Sequence, residues 1–120
     1  MARIGNPGDG VSRALVSDIF RGQVWWVEVP AAGRRPALVL TRTVAIPVLN
    51  RVVVAPATRT IRDIPTEVVL DRGDGMPEPC AVSLDNVTVV AKGALRSLIC
   101  TLGPDRMQAV CAALRAAVDC

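Results

Sequence analysis

From Gln23 to Leu102 the chain is a succession of strand-length, largely aliphatic runs, set too close together for helices to fit between them. "QVWWVEV" is followed by "PALVLT", "RVVVAPAT", "TEVVL", "CAVSL", "VTVV" and "SLICTL". Runs of this length, rich in β-branched residues, suit the pleated surface of a sheet. Turn residues separate them at Ala31 to Arg34, Pro47 to Asn50, Ile61 to Pro65, the "DRGDGMPEP" stretch and Asp85-Asn86. Short strands joined by such turns predict a mainly β fold, a small antiparallel sheet that curls into a barrel.

The two ends differ in kind. At the C-terminal end Gly103 precedes Pro104, Asp105 complements a helix dipole, and Met107, Val110, Cys111, Leu114 and Val118 recur on one face. This pattern predicts an amphipathic α-helix of about four turns packed on the sheet. At the other end Gly5, Pro7, Gly8 and Gly10 mark residues 1–20 as a flexible leader, within which Ser12 could cap a short helix through Phe20. Residues 21–120 then form one domain, since 120 residues do not suffice for two cores.

Composition narrows the chemistry. There is no histidine, which excludes a Ser-His-Asp triad and any histidine acid-base pair. The acids are scattered and no phosphate-binding glycine loop exists, so a two-metal site and nucleotide hydrolysis are not expected. Cys80, Cys100, Cys111 and Cys120 have no C-x-x-C spacing and read as free thiols of a reducing compartment, with no metal or cofactor expected. No apolar run reaches membrane-spanning length and the first residues lack a secretory pattern, so the expected location is cytoplasmic. Net charge is only +3, yet Lys92 is the sole lysine. The arginine bias has two accounts, gene base composition and phosphate contact, where the guanidinium fork outperforms ammonium.

A catalyst with this composition must work with fixed cations and hydroxyls. Arg34 and Arg35 stand just ahead of the strand opened by Pro36, which biases Arg35 towards extended backbone. "RVVVAPAT" ends in Thr58, followed by Arg59 and Thr60. Antiparallel pairing of these two strands would bring the end of one to the start of the other.

Taken in order, "RGQVWWVEV", "GRRPALVLTR", "VVVAPATRT", "IPTEVVL", "AVSLDNVTVV" and "LGPDRMQAVCAAL" resemble the MazF/PemK family of toxins from bacterial toxin-antitoxin pairs, and among them a compact actinobacterial branch. The resemblance covers residues 21–120. It implies a curled antiparallel sheet with a C-terminal helix, a symmetric homodimer, and a cognate MazE-like antitoxin. The implied activity is a sequence-specific, ribosome-independent endoribonuclease that cuts single-stranded RNA without a metal, with messenger, ribosomal or transfer RNA as target. By the same resemblance the catalytic residues are Arg35 and Thr58. Charge stabilisation suits Arg35 better than the role of general base, because arginine holds its proton near neutral pH.

The sequence also departs from the family. The loop "PAAGRR" is short and lacks the usual acid, and Gln23 replaces the acid of the family's opening motif. Asp85 and Asn86, where relatives carry a Glu-Gln pair, are base readers or a plain turn between strands. Arg34, Arg59, Thr60 and Arg62 are RNA-contact candidates, with solvated charge as the other account of Arg59 and Arg62. Trp25 and Trp26 point to opposite faces of a regular strand, one into the core and the other towards a dimer interface or a base. The rival function is that of a non-catalytic toxin of the same fold that binds a protein such as DNA gyrase. Its Trp-Gly-Ile tip has no counterpart in the final "AAVDC".

Overall fold

The computed structural model describes residues 18–119. Seven strands, β1 (Gln23–Val29), β2 (Gly33–Val39), β3 (Arg51–Thr58), β4 (Glu67–Leu70), β5 (Cys80–Ser83), β6 (Thr88–Ala91) and β7 (Leu95–Thr101), are followed by one helix, α1 (Pro104–Val118). The sheet order is β4-β5-β3-β2-β1-β7, with β6 also paired to β3, and every pairing is antiparallel. The mainly β fold with its C-terminal helix agrees with the sequence reading. The leader helix expected from Ser12 lies, up to residue 17, outside the described residues.

Alternation along the strands divides the interior in two. Trp25, Val27, Val29, Ala37, Val39, Val52 and Val54 enter one cluster, which Ile19, Ile46 and Val90 complete. Their neighbours Val24, Leu38, Ala55 and Ala57 enter the other, with Val68, Leu70 and Val82. The second cluster lies beneath α1, which contributes Val110 and Ala113 with Met107, Leu114 and Ala117 at its margin. Full burial of one such valine stabilises the fold by roughly 1.5 to 3 kcal/mol, enough to dock a helix whose propensity alone would not hold it. Val118, expected on this face, is instead 55% exposed, because the helix ends there.

Two irregularities curl the sheet. Register shifts between Val24 and Trp25, and between Trp26 and Val27, interrupt the pairing of β1 with β7 and increase the local twist. On β3 the partner changes from β6, along Arg51 to Val54, to β5, along Ala57 and Thr58. The register of β3 with β5 is offset by three residues from its register with β6, and the three-residue 3-10 turn Leu84–Asn86 absorbs the offset.

Gln23 gains a structural reason. Its buried Oε1 accepts from Phe20 N–H at 2.7 Å and from the Trp25 indole N–H at 2.9 Å. A side-chain carbonyl therefore satisfies two donors at the start of β1 without placing a charge in the core. Gly22 precedes it with φ 94°, a conformation that favours glycine, and pairs with Val39 and Leu102 through its N–H and C=O.

Candidate functional site

Arg34 and Arg35 do not precede β2, as expected from the sequence; they lie inside it, opposite Glu28 and Val27 of β1. The turn is shorter because Ala31 and Gly33 both take positive φ, 63° and 78°, and reverse the chain by Gly33. Pro36 also sits within the strand, opposite Trp26. The ladder between β2 and β3 is confined to Ala37 to Val39 against Pro56 to Val54. Pro36 has no N–H to extend it, so the two strands part at that point.

The parting places the predicted pair together. Continuing the register that pairs Ala37 with Pro56 sets Arg35 opposite Thr58. Both lie on the side of their strands carrying Val39 and Val54, an even number of residues away along each strand. Both also line two surface depressions, for which they form the shared wall together with Ala57.

Hydrogen bonding leaves the pair partly uncommitted. Arg35 Nη2 donates to the carbonyl of Ala32 at 3.2 Å, while its buried Nε has no partner among the described residues. An unpaired buried donor carries a desolvation cost of roughly 1 to 3 kcal/mol, which an anion at that place would remove. Thr58 Oγ1 accepts from the Thr60 N–H at 3.2 Å, so its own hydroxyl proton remains available.

The first depression, about 240 Å³, is bounded by Trp26, Arg34, Pro36, Arg59, Met76, Pro77, Glu78 and Cys80. Arg34 lies 6.0 Å from the Trp26 ring centroid, and Arg59 pairs with Glu78 at 3.1 Å. Burial pushes the Cys80 thiol up to about 11, with Cys100, Asp74 and Glu78 adding to the shift. Cys80 is therefore apolar floor and not a nucleophile. The second depression, about 340 Å³, is bounded by Val29, Pro30, Ala32, Pro56, Arg62, Ser83, Asn86 and Thr88.

Of the other predicted residues, Arg34 and Arg59 thus meet in the first depression, and Arg62 and Asn86 in the second. Arg62 is held by Glu67, whose oxygens accept from its N–H at 2.9 Å and its Nη1 at 3.1 Å. Asp85 accepts from the Thr66 hydroxyl and lines neither depression, and Thr60 contributes its N–H only. Asn86 donates to Ser83 Oγ at 2.8 Å across the 3-10 turn. Trp26 is the tryptophan left outside the core, and Glu78, Ser83 and Thr88 escaped the sequence reading as site residues. Among the described residues no three His, Cys, Asp or Glu side chains converge as metal ligands would.

Known proteins resemble the chain in sequence and fold. The family model described as PemK-like, MazF-like toxin of type II toxin-antitoxin system matches residues 20–118. Probable endoribonuclease MazF5 of Mycobacterium tuberculosis is 50% identical over 101 residues, 83% of this chain and 93% of the relative. Probable endoribonuclease MazF2 of the same species is 37% identical over 101 residues, 83% and 98% of the two chains. Among solved structures, Mycobacterium tuberculosis toxin MazF-mt6 matches with a TM-score of 0.76 and 34% identity, over 81% of this chain and 96% of that one. An endoribonuclease in complex with its cognate antitoxin, from mycobacterial species, matches with a TM-score of 0.76 and 27% identity, over 84% and 95%.

Proposed function

Because the chain belongs to the PemK-like, MazF-like family of type II toxins, we propose that it is an endoribonuclease toxin, with Arg35 and Thr58 acting on one scissile phosphate of single-stranded RNA. The observation that carries this reading is the buried Arg35 Nε, unpartnered among the described residues, in the same wall as Thr58, whose hydroxyl proton is uncommitted.

RNA brings its own nucleophile. A 2′-oxygen attacks the adjacent phosphorus, the bond to the 5′-oxygen breaks, and the products are a cyclic phosphate and a 5′-hydroxyl. The proton lost from the 2′-hydroxyl is balanced by the one gained at the leaving oxygen. Holding the backbone bent supplies the proximity. Arg35 and Thr58 then donate hydrogen bonds to the phosphoryl oxygens as negative charge grows there, which is the step the protein accelerates. No step requires a metal.

A homodimer and a cognate antitoxin complete the reading. The antitoxin would lay an acidic, extended segment along the groove that holds Arg34, Arg35 and Arg59, in competition with RNA. A cytoplasmic location fits a toxin acting on cellular RNA, and no described helix is long and apolar enough to cross a membrane.

The test is to incubate the purified chain with a long synthetic RNA, with and without EDTA, and to sequence the new 5′ ends. Cuts at a recurring motif, unchanged by EDTA and ending in a cyclic phosphate, are the expected result. Intact RNA, or cleavage lost to EDTA and restored by a divalent cation, would refute it.

A further inference from the structure

We infer that the first depression is a reading slot for one nucleobase, in which Trp26 and Arg34 sandwich the base and the Glu78 carboxylate selects guanine. The inference rests on the endoribonuclease reading above for its biological meaning, though the slot is a binding site in its own right.

The geometry starts from β1. Trp25 is 1% exposed and belongs to the core, so strand alternation turns Trp26 to the opposite face, where it is half-buried in the wall of the depression. Trp26 pairs with Pro36 and Glu28 with Arg34, which makes Trp26 and Arg34 diagonal neighbours on that face. The guanidinium stands 6.0 Å from the indole centroid. A base between two planes needs roughly 6.8 Å, twice the base-step rise of about 3.4 Å. A displacement of the exposed Arg34 by less than about 1 Å opens that space, and both indole and guanidinium stack on bases.

The edge of the base meets Glu78. This carboxylate accepts a bond of 3.1 Å from Arg59 Nε through one oxygen, and its side chain is 49% exposed. Each carboxylate oxygen has two lone pairs, so both oxygens can still accept. Guanine is the base that presents two adjacent donors, N1–H and N2–H, on its Watson–Crick edge. Adenine offers a donor beside an acceptor, and uracil places carbonyls on both sides of its single donor, so a carboxylate repels part of each edge. Met76, Pro77 and Cys80 supply an apolar floor that strengthens the discrimination by excluding water. The Arg35 and Thr58 wall borders the same depression, so a base held here belongs to a nucleotide next to the scissile phosphate.

Fully 2′-O-methylated trinucleotides, which have no 2′-hydroxyl to attack, isolate binding from cutting. Binding is read by isothermal titration calorimetry for a set varying in one base. The guanine trinucleotide is expected to bind about tenfold tighter than the adenine and uracil ones. Glu78→Gln replaces one acceptor with a donor and should move the preference from guanine to adenine, in binding and in the sequenced cut sites alike. Trp26→Leu should weaken all the trinucleotides about tenfold, with the thermal melt showing that the fold persists. Glu28→Gln, on the same face outside the depression, should leave the preference unmoved. A wild-type preference for another base, or a Glu78→Gln variant with unaltered preference, overturns the slot. RNA cut normally by a protein that fails these binding tests removes the slot and leaves the nuclease; guanine binding without RNA cleavage removes the nuclease and leaves the slot.

Discussion

At the corner where α1 meets the loop after β4, Arg106 donates through Nε to Asp74 at 2.9 Å and lies 3.9 Å from Asp71. At the parting of β2 and β3, Arg35 holds a buried Nε with no partner. Both are partly buried arginines on elements the core fixes, yet the described residues supply carboxylates to one and none to the other. The loop at the first corner is also closed by a capping box, in which Asp71 and Asp74 each accept from the other's part of the 3-10 turn. A guanidinium with its counterions in place holds structure together. One left without them keeps a donor that an anionic ligand could satisfy.

The largest break in this contrast is Arg35→Ala. If the unpartnered arginine stabilises charge that develops only in the transition state, RNA cleavage should fall by roughly two to three orders of magnitude. The thermal melt should stay the same or rise slightly, because the unsatisfied donor disappears with the side chain. A variant that cuts RNA at the wild-type rate would remove Arg35 from catalysis.

Thr58→Val keeps the β-branched shape of a strand residue and deletes one donor. Cleavage measured at saturating RNA should drop about ten- to a hundredfold, as for loss of a hydrogen bond to a charged group. Equal losses in both variants and in the double variant would show that the two side chains work as one unit. Unchanged turnover in Thr58→Val would leave the arginine acting alone.

The smallest effect belongs to the other corner. The hydrogen bond from Arg106 is the main cause that holds the Asp74 carboxyl below its ordinary value of 3.8, and burial opposes it. A carboxyl depressed in the folded state adds stability that is present above 3.8 and fades as pH falls through the lower folded value. Asp74→Asn should therefore be slightly less stable than the wild type at neutral pH, by about 1 kcal/mol or less, because the Arg106 side chain remains 39% exposed to solvent. The gap should close in acid. A gap that persists below the folded value would assign the effect to the capping box and not to the charge.

Much of the fold was legible in order along the chain. "QVWWVEV" and "RVVVAPAT" are β1 and β3 residue for residue, because β-branched alternation is a local property that burial then confirms. The start of β2 was misjudged: "GRR" carries the composition of a turn, and only the positive φ of Ala31 and Gly33 shows that the reversal ends earlier. The 3-10 helix Thr43–Val48 was also missed upstream of Pro47, since Val44, Ala45 and Ile46 read equally well as extended chain. At the site, Arg35 and Thr58 were named through the resemblance and their opposition through antiparallel register. The partners of the remaining arginines were not legible: Glu67 lies five residues from Arg62 and Glu78 nineteen from Arg59, spacings that no helix or strand period makes adjacent.

The residues by themselves determined the strand sequence, the capped C-terminal helix and the kind of chemistry left to a chain without histidine. Propensity, periodicity and composition act within a few residues, so they survive in the linear order. Tertiary structure decided that Trp25 is buried while Trp26 lines a depression, that Gln23 serves the core, and which guanidiniums are already satisfied. Those outcomes depend on register between distant strands and on the charge brought opposite each side chain, and neither is fixed until the sheet has closed.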